Sequence, residues 1–321
     1  MTAAVRRYVR RDPATPIAYG VLVVIIVAWA AATPNLGIVS VTNTFAQKLP
    51  LVMAAIGAAV VIVSRGIDLS IGATLTVVNV IIAHGSLTGG SLALWIVIAV
   101  AVALVAGLVN GLLVAVFELP ALIVTLATSS VLFGIALYIL PNPGGELPAS
   151  FTNTTLLLVG PVPLVVLLIA AVPVLLWWPI RRSRFGTALY AVGNDEAAAF
   201  TSGVRVRSVK VRAYVLAAFF AALGGIFISM NAGSGDPNIG SAYTLNAIAA
   251  AVIGGVALSG GRGTIAGPVA GALVLSFINN LLFSLGVNTY YQYLVTGVLL
   301  IAALAIPYVT GRLRQTRRAA A

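Results

Sequence analysis

The sequence contains no cysteine and only one histidine, His84, among its 321 residues. Disulfide bridges and thiolate metal sites are therefore excluded, and one imidazole cannot build a histidine-based metal site. Acidic residues are also few, with seven Asp and Glu against eighteen Lys and Arg. We accordingly expect no metal site, no catalytic constellation and no cofactor held by this chain.

Charge of either sign is scarce, because charged residues make up 8% of the chain and hydrophobic residues 60%. The mean hydropathy is +1.10. Soluble domains carry about 25% charged residues, so this composition indicates a polytopic membrane protein. The net charge of +11 comes from short basic clusters between apolar runs, which orient helices in a membrane and form no nucleic-acid groove. The basic start followed by an apolar run superficially resembles a signal peptide, but Thr33-Pro34-Asn35 offers no convincing cleavage site, which favours a first membrane span.

Apolar runs broken by Gly, Pro and charge predict an all-α transmembrane bundle of about ten spans, forming one domain over residues 1–321. The predicted spans cover residues 16–33, 45–64, 69–83, 92–117, 121–140, 162–180, 213–230, 243–258, 264–285 and 290–309. Residues 141–156 are rich in Pro, Gly, Asn and Thr, which indicates a loop outside the bilayer. Residues 181–212 form a basic loop between the sixth and seventh spans.

Basic residues set the orientation, because Lys and Arg are retained in short cytoplasmic loops. In a ten-span arrangement, all but one of the clusters fall on the same side: Arg6, Arg7, Arg10, Arg11, Arg65, the loop 181–212, Arg262, Arg312, Arg314, Arg317 and Arg318. The exception is Lys48, near the outer end of the second span. The sequence therefore predicts that both termini are cytoplasmic.

Two short segments share residues at a constant offset of 168 positions. GIDLSIGATLT at residues 66–76 and GDPNIGSAYT at residues 235–244 pair as follows: Asp68 with Asp236, Ile71 with Ile239, Gly72 with Gly240, and Thr76 with Thr244. They precede spans that start on opposite faces, as two five-span halves of inverted topology would require. Chance similarity in apolar sequence is the alternative interpretation.

The basic loop 181–212 is predicted to contain a short helix. Asn194 or Asp195 can cap its start, residues 196–200 are good helix formers, and Gly203 can cap its end. One interpretation is a cytoplasmic platform on which another protein transmits force. The other is an ordinary positive loop that only sets orientation.

Polar residues within the spans are candidates for a solute pathway, because each costs free energy in lipid unless it faces water or a partner. The candidates are Asp68, Ser70, Asn79, Asn110, Thr125, Asn246, Asn279 and Asn280. The alternatives are that Asp68 and Ser70 cap the third span and that the amides bond between helices. Uncharged donors and acceptors suit a neutral polyhydroxylated solute. The near absence of charge argues against an ion-coupled carrier. The sequence has neither a metal triad nor a nucleophile with a base, so nothing in it indicates a membrane enzyme.

Five motifs in order resemble the ribose-type permease subunits of bacterial ABC sugar importers. They are GIDLSIG at 66–72, PALIVTLAT at 120–128, AVGNDEAAAFTSGV at 191–204, AIAAAVIGGVALSGGRGTIAG at 247–267 and NTYYQ at 288–292. The resemblance implies a bacterial inner-membrane protein that pairs with a second permease subunit, identical or closely paralogous. It also implies two ATP-binding domains, which hold ATP and Mg, and an external binding protein that delivers a pentose or hexose.

The resemblance also implies where the ATP-binding subunit seats. The residues are Gly193, Asn194, Asp195, Glu196, Ala197, Ala198, Ser202 and Gly203. The family commonly has Glu-Leu-Asp where this chain has Thr244-Leu245-Asn246, so two carboxylates are missing. The identity of the sugar therefore cannot be inferred from the family. Branched-chain amino-acid permeases are distant relatives, and their zwitterionic ligand is the alternative substrate.

The Gly-rich segment 258–263 could be taken for a phosphate cradle. It has no Lys-Ser/Thr pair and no preceding strand, so we predict a tight cytoplasmic reversal instead.

Overall fold

The computed structural model describes residues 14–34, 36–299, 301–302 and 305, and within them the fold is helical, as predicted. The helices are α1 (Ala14–Ala32), α2 (Ile38–Ala46), α3 (Leu49–Val63), α4 (Ile71–Thr88), α5 (Leu92–Ala115), α6 (Ala121–Ile139), α7 (Ala149–Thr152), α8 (Leu164–Val172), α9 (Trp178–Arg182), α10 (Arg184–Asn194), α11 (Glu196–Thr201), α12 (Val206–Ala232), α13 (Tyr243–Ile253) and α14 (Ala266–Ser284). Residues 289–299 form a further helix, α15.

Seven helical segments among the described residues are long and apolar enough to cross a membrane. They are α1, α2 with α3 as one unit (Ile38–Val63), α4, α5, α6, α12 and α14. The predicted polytopic bundle agrees with this finding, whereas the count of ten stays a prediction. The orientation of Arg6 to Arg11 and of Arg312 to Arg318 lies outside the described residues.

The sixth predicted span is helical but interrupted. Between α8 and α9, residues Pro173–Trp177 form a π-helical turn. Prolines at 173 and 179 lack the amide hydrogen that regular helical bonding needs, so the helix is locally widened. The helix starts at Leu164 rather than 162, because β1 (Leu158–Val159) pairs antiparallel with β2 (Val162–Pro163).

Two other boundaries differ from the sequence prediction. The helix α13 ends at Ile253 rather than 258, since Gly255 adopts a φ of 95° that breaks the helix. The helix α12 begins at Val206, so residues 206–212 of the predicted basic loop are its first two turns. The basic residues of this segment extend a long helix beyond its apolar part. Composition alone does not distinguish such an extension from a basic loop.

The helix α3 is the centre of the bundle, and all fifteen of its residues are buried. It packs against α12, α13 and α14, while α12 also packs against α4 and α5. In contrast, α1, α5 and α6 expose apolar side chains such as Val24, Val97 and Ile123, each more than 60% exposed. Apolar surface on this scale suits contact with lipid.

Candidate solute pathway and cytoplasmic contact site

The segment between α12 and α13 enters the bundle and runs antiparallel along α4. The backbone of Gly235 exchanges two hydrogen bonds with Gly144, beside the C-terminal end of α4. Further along, the amide of Asp236 donates to Asn79 Oδ1 (2.9 Å) and the amide of Gly240 donates to Thr76 Oγ1 (3.0 Å). The segment therefore packs along α4 up to the start of α13.

Asn79 holds this re-entrant segment in place. It is fully buried, and its Nδ2 donates to Ser229 Oγ and to the Ser234 carbonyl, both at 3.0 Å. With its Oδ1 accepting from Asp236, the amide is engaged on both sides. Because the buried amide already has protein partners, its geometry supports a structural bond and not a solute contact.

The paired motifs of the sequence meet at one crossing of the chain. A Cβ at Gly72 would collide with the Gly240 carbonyl oxygen and Thr244 Oγ1, and a Cβ at Gly240 would collide with the Gly72 carbonyl oxygen and Thr76 Oγ1. The contacts are reciprocal, so each glycine faces the backbone and the threonine of the other motif. Only residues without a side chain permit this approach.

Asp68 heads a buried chain of polar groups. Its Oδ1 accepts from the Ser70 amide (2.8 Å) and hydroxyl (2.6 Å) in the turn before α4. Asn110 Nδ2 donates to Ser70 Oγ (2.8 Å), and Thr128 Oγ1 donates to Asn110 Oδ1 (2.6 Å). Burial raises the pKa of the Asp68 carboxyl, while the bonds from Ser70 lower it. The chain ties the start of α4 to α5 and α6.

Thr125 lies outside this chain. Its hydroxyl donates to the carbonyl of Ala121 in its own helix. Asp68, Ser70, Asn79, Asn110 and Thr125 thus have protein partners. The bonds of Asn79 and Asn110 agree with the alternative of interhelical bonds, whereas Ser70 at the start of α4 makes no side-chain cap bond. Asp236 likewise accepts from the Asn238 amide (2.8 Å), the same local turn that Asp68 makes.

The other three candidates line a cavity of about 240 Å³ between α3, α13, α14 and α15. Asn246, Asn279 and Asn280 contribute to its wall, together with Gln47, Lys48, Leu51, Ala242, Tyr243, Leu275, Ser276 and Thr296. Thr296 Oγ1 donates to Asn279 Oδ1 (3.1 Å), and Lys48 Nζ donates to Asn280 Oδ1 (2.6 Å). The structure brings these three amides together around a lysine.

On the basic segment, α11 forms the short helix that the sequence predicted. Asp195 caps its start by accepting from the Ala198 amide (3.0 Å). At its end, the amide of Gly203 donates to Phe200 and that of Val204 to Ala199, with Gly203 at a φ of 82°. This Schellman arrangement satisfies the last carbonyls, so one and a half turns are defined at both ends.

The faces of α11 differ in exposure. Ala199 is buried, whereas Ala197, Ala198 and Phe200 are exposed, Phe200 by 72%. Glu196 Oε1 pairs with Lys210 Nζ of α12 at 2.5 Å. Beside this helix lies a groove of about 930 Å³ whose charged lining residues are Arg65, Glu118, Glu196, Arg205, Arg207 and Lys210. A large apolar side chain standing free beside a groove fits a contact with another protein.

Gly193 and Asn194 pack against the bundle, unlike the other residues that were predicted to contact the ATP-binding subunit. Gly193 is buried, and a Cβ there would collide with the Val63 carbonyl oxygen and the backbone of Gly261. Asn194 Nδ2 donates to the Tyr190 and Gly261 carbonyls. These two residues therefore join the segment to the bundle, and Ser202 Oγ bonds to Ala198 within α11.

Arg65 connects this segment to the turn before α4. Its guanidinium donates to the Ser259 carbonyl (3.1 Å) and to the Asn194 carbonyl (2.8 Å). Gly260, Gly261 and Gly263 all have positive φ in the adjacent turn, and Gly261 donates to the Val63 carbonyl (2.9 Å). The Gly-rich segment is thus packed as a tight reversal, consistent with the sequence prediction.

Sequence reasoning missed Lys48, Arg65 and Phe200 as site residues. Lys48 carried a detectable signal, since it alone departed from the one-sided placement of basic residues. Phe200 is identified only by its exposure, and Arg65 only by its contact with Asn194, which lies 129 positions away in the chain. Among the described residues, His, Asp and Glu form no group of three or more that could hold a metal ion.

Comparison with known proteins identifies the family. The family model described as "Branched-chain amino acid transport system / permease component" matches residues 40–304. The chain is 34% identical over 294 residues to the ribose import permease protein RbsC of Bacillus subtilis, covering 89% of this chain and 90% of that protein. It is 34% identical over 295 residues to RbsC of Escherichia coli K12, covering 89% and 91%.

The galactose/methyl galactoside import permease protein MglC of Haemophilus influenzae is 33% identical over 309 residues, covering 90% of this chain and 92% of that protein. No solved structure matches the chain. The matched residues include α11, the re-entrant segment and the cavity around Lys48. This multi-pass membrane protein therefore belongs to the family of transport-system permease components that the matching model describes.

Proposed function

We propose that this chain is the permease subunit of a bacterial ABC importer, which passes a monosaccharide from an external binding protein into the cytoplasm. The observation that carries this proposal is α11, a helix capped at both ends with an exposed face, in a chain similar to ribose and galactose import permeases over about nine tenths of its length. A pentose or hexose is the proposed solute class. The proposed location is the bacterial inner membrane.

The proposal includes partners that the fold alone does not supply. A second permease subunit, identical or closely paralogous, would complete the pathway, and two separate ATP-binding domains would hold ATP and Mg. This chain is then no enzyme. Purified permease without those domains should hydrolyse no ATP above background, and hydrolysis by the permease alone would contradict the assignment.

The contact with the ATP-binding domain is proposed at α11. Glu196, Ala197, Ala198 and Phe200 line the groove or stand exposed beside it, and Asp195, Ser202 and Gly203 fix the ends of the helix. The groove has four basic and two acidic side chains, so an acidic partner surface would suit it. Movement of α11 would reach the turn before α4 through Asn194 and Arg65.

We also propose ten spans with cytoplasmic termini and two inverted five-span halves. In support, Gly72, Thr76, Gly240 and Thr244 meet reciprocally, and Asp68 and Asp236 make equivalent turns. With 11 residues, α13 is about 16 Å long, which is too short to cross a hydrocarbon core of about 30 Å by itself. Short or broken helices at corresponding positions mark the substrate region of transporters built from inverted repeats.

For the solute pathway we propose the cavity lined by Asn246, Asn279 and Asn280. Their amides donate and accept hydrogen bonds, as a polyhydroxylated solute requires. The solute must also leave, so the modest strength of hydrogen bonds to these amides suits transport.

Uptake of labelled solutes tests the proposal. Cells that express the complete transport system, with and without this chain, should differ in uptake of at least one solute from a panel of ribose, galactose, glucose, D-ribonate and D-glucuronate. Branched-chain amino acids form the second arm, because the matching family model carries that description. Uptake of leucine alone would replace the sugar proposal, and uptake abolished by a proton uncoupler at constant ATP would favour an ion-coupled carrier.

A further inference from the structure

The cavity between α3, α13, α14 and α15 contains a buried cation. Lys48 lies at the junction of α2 and α3 with 6% of its surface exposed. Its Nζ donates to Asn280 Oδ1 at 2.6 Å and lies 5.9 Å from the centre of the Phe277 ring. An amide oxygen and an aromatic ring face stabilise a buried positive charge less than an anion does. A buried charge in a protein is ordinarily paired with a charge of opposite sign.

The chain supplies no counter-charge to this lysine within the described residues. The two ion pairs found there are Arg207 with Glu118 and Lys210 with Glu196, both remote from the cavity. None of the cavity's eleven lining residues is acidic. One of them is Asn246, an uncharged amide. The site thus has a positive charge that a ligand could balance.

The remaining wall is rich in uncharged hydrogen-bonding groups. Asn246, Asn279, Tyr243, Ser276 and Thr296 offer amide and hydroxyl groups. The helix α13 begins here without a side-chain cap, so its positive end adds to the potential around Lys48. A volume of about 240 Å³ lies below the range of about 300–1,000 Å³ usual for drug-sized ligands, so the cavity suits a small solute.

We infer that the cavity around Lys48 binds a monosaccharide carrying one carboxylate, a sugar acid, with the carboxylate on Lys48 and the hydroxyls on the surrounding amides and hydroxyl groups. The inference rests on the proposed function and narrows its solute class. A neutral sugar would leave the buried ammonium unbalanced. The phosphate of a lipid headgroup would satisfy Lys48, but such a headgroup offers fewer hydroxyl groups to the polar wall than a sugar acid does.

The test uses the full chain purified into nanodiscs of uncharged phosphatidylcholine, with binding measured by isothermal titration calorimetry. D-glucuronate and D-glucose form one matched pair, and D-ribonate and D-ribose form another. We expect at least one acid to bind at least tenfold more tightly than its neutral partner. In Lys48→Met that preference should vanish. The control Lys210→Met, at the only other lysine of the chain, should keep the preference.

A second measurement uses only the wild-type chain, so it tests the inference even if the Lys48→Met variant does not fold. Acetylation of the wild-type chain, followed by mass spectrometry, reports Lys48 and Lys210 separately. The favoured acid should slow acetylation at Lys48 at least threefold and leave Lys210 unchanged, while the neutral sugar protects neither. Equal affinities for acid and neutral sugar, a preference that survives in Lys48→Met, or absence of protection by either acid overturns the inference.

A lipid arm separates the two sources of an anion. If nanodiscs with anionic phosphatidylglycerol protect Lys48 while neither acid does in phosphatidylcholine, the site holds a headgroup and the inference is wrong. Failure of the proposed function has a different result, because it appears as absent sugar uptake in cells. Uptake of a neutral sugar combined with no preference for an acid would retain the proposed function and reject only the sugar acid.

Discussion

Gly72 and Gly240 lie against each other so that each faces the carbonyl oxygen of the other, although 168 positions separate them in the chain. The contact joins the start of α4 to the end of the re-entrant segment. It depends on the absence of a side chain at both positions, so it is open to a direct test.

We expect Gly72→Ala to destabilise the protein by about 1–3 kcal/mol, because the added methyl group meets backbone that cannot move aside cheaply. Gly134→Ala is the control, since a Cβ there meets nothing within 4 Å and alanine favours the helix. Thermal unfolding midpoints in detergent give the comparison. Equal midpoints for the two variants would show that the crossing is not tightly packed.

Asn79→Leu should loosen the re-entrant segment, because three hydrogen bonds are lost and the Asp236 amide is left unsatisfied. Each buried group without a partner costs about 1–3 kcal/mol. Hydrogen exchange of residues 233–242 should rise at least tenfold. The control Thr125→Val loses only a bond within its own helix and should leave that exchange unchanged. Unchanged exchange in Asn79→Leu would contradict the structural role of this amide.

Ala198→Arg tests the proposed contact at α11. Ala198 is exposed, so the variant should fold, while a long charged side chain should overpack a close contact and cost several kcal/mol of association. We expect normal membrane levels, loss of co-purification with the ATP-binding subunit and loss of uptake. Thr187→Arg adds the same charge to the exposed side of α10 and should retain uptake. Normal assembly and transport by Ala198→Arg would refute the contact.

The pair of Glu196 and Lys210 should have a milder effect. Side chains exposed by 38% and 19% form pairs worth about 0.2–1 kcal/mol. Glu196→Ala should therefore weaken stimulation of the ATPase without preventing assembly. Charge reversal by Glu196→Lys should weaken it further, and adding Lys210→Glu should restore part of the loss. Without any restoration, Glu196 would act directly on the partner and not through this pair.

Protease protection in intact cells tests the proposed orientation. A tag before Arg6 and another after Ala321 should both resist external protease, while a cleavage site inserted near Asn153 should be cut. Basic residues are retained on the cytoplasmic side, which is the physical basis of this expectation. Opposite protection of the two termini would contradict an even number of spans, and protection of the inserted site would place that loop inside.

Local features of the fold could be predicted because they depend on neighbours in the chain. The apolar runs indicated membrane helices, and the sequence Asn194-Asp195-Glu196 through Gly203 predicted α11 with its caps. The boundaries at Ile253 and Val206 were harder. A glycine pair inside an apolar run and basic residues on a long helix are each compatible with two structures.

Composition and local pattern by themselves determined that this chain is a helical membrane protein and which polar residues had to find partners. Only the tertiary structure decided which partners they found. Asn79 and Asp236 meet across 157 positions and Lys48 and Asn280 across 232, so no local pattern could show that one amide fixes a loop while others surround a lysine. A buried polar group is satisfied by whatever the packing of distant helices brings within about 3 Å, and that packing is a property of the whole chain.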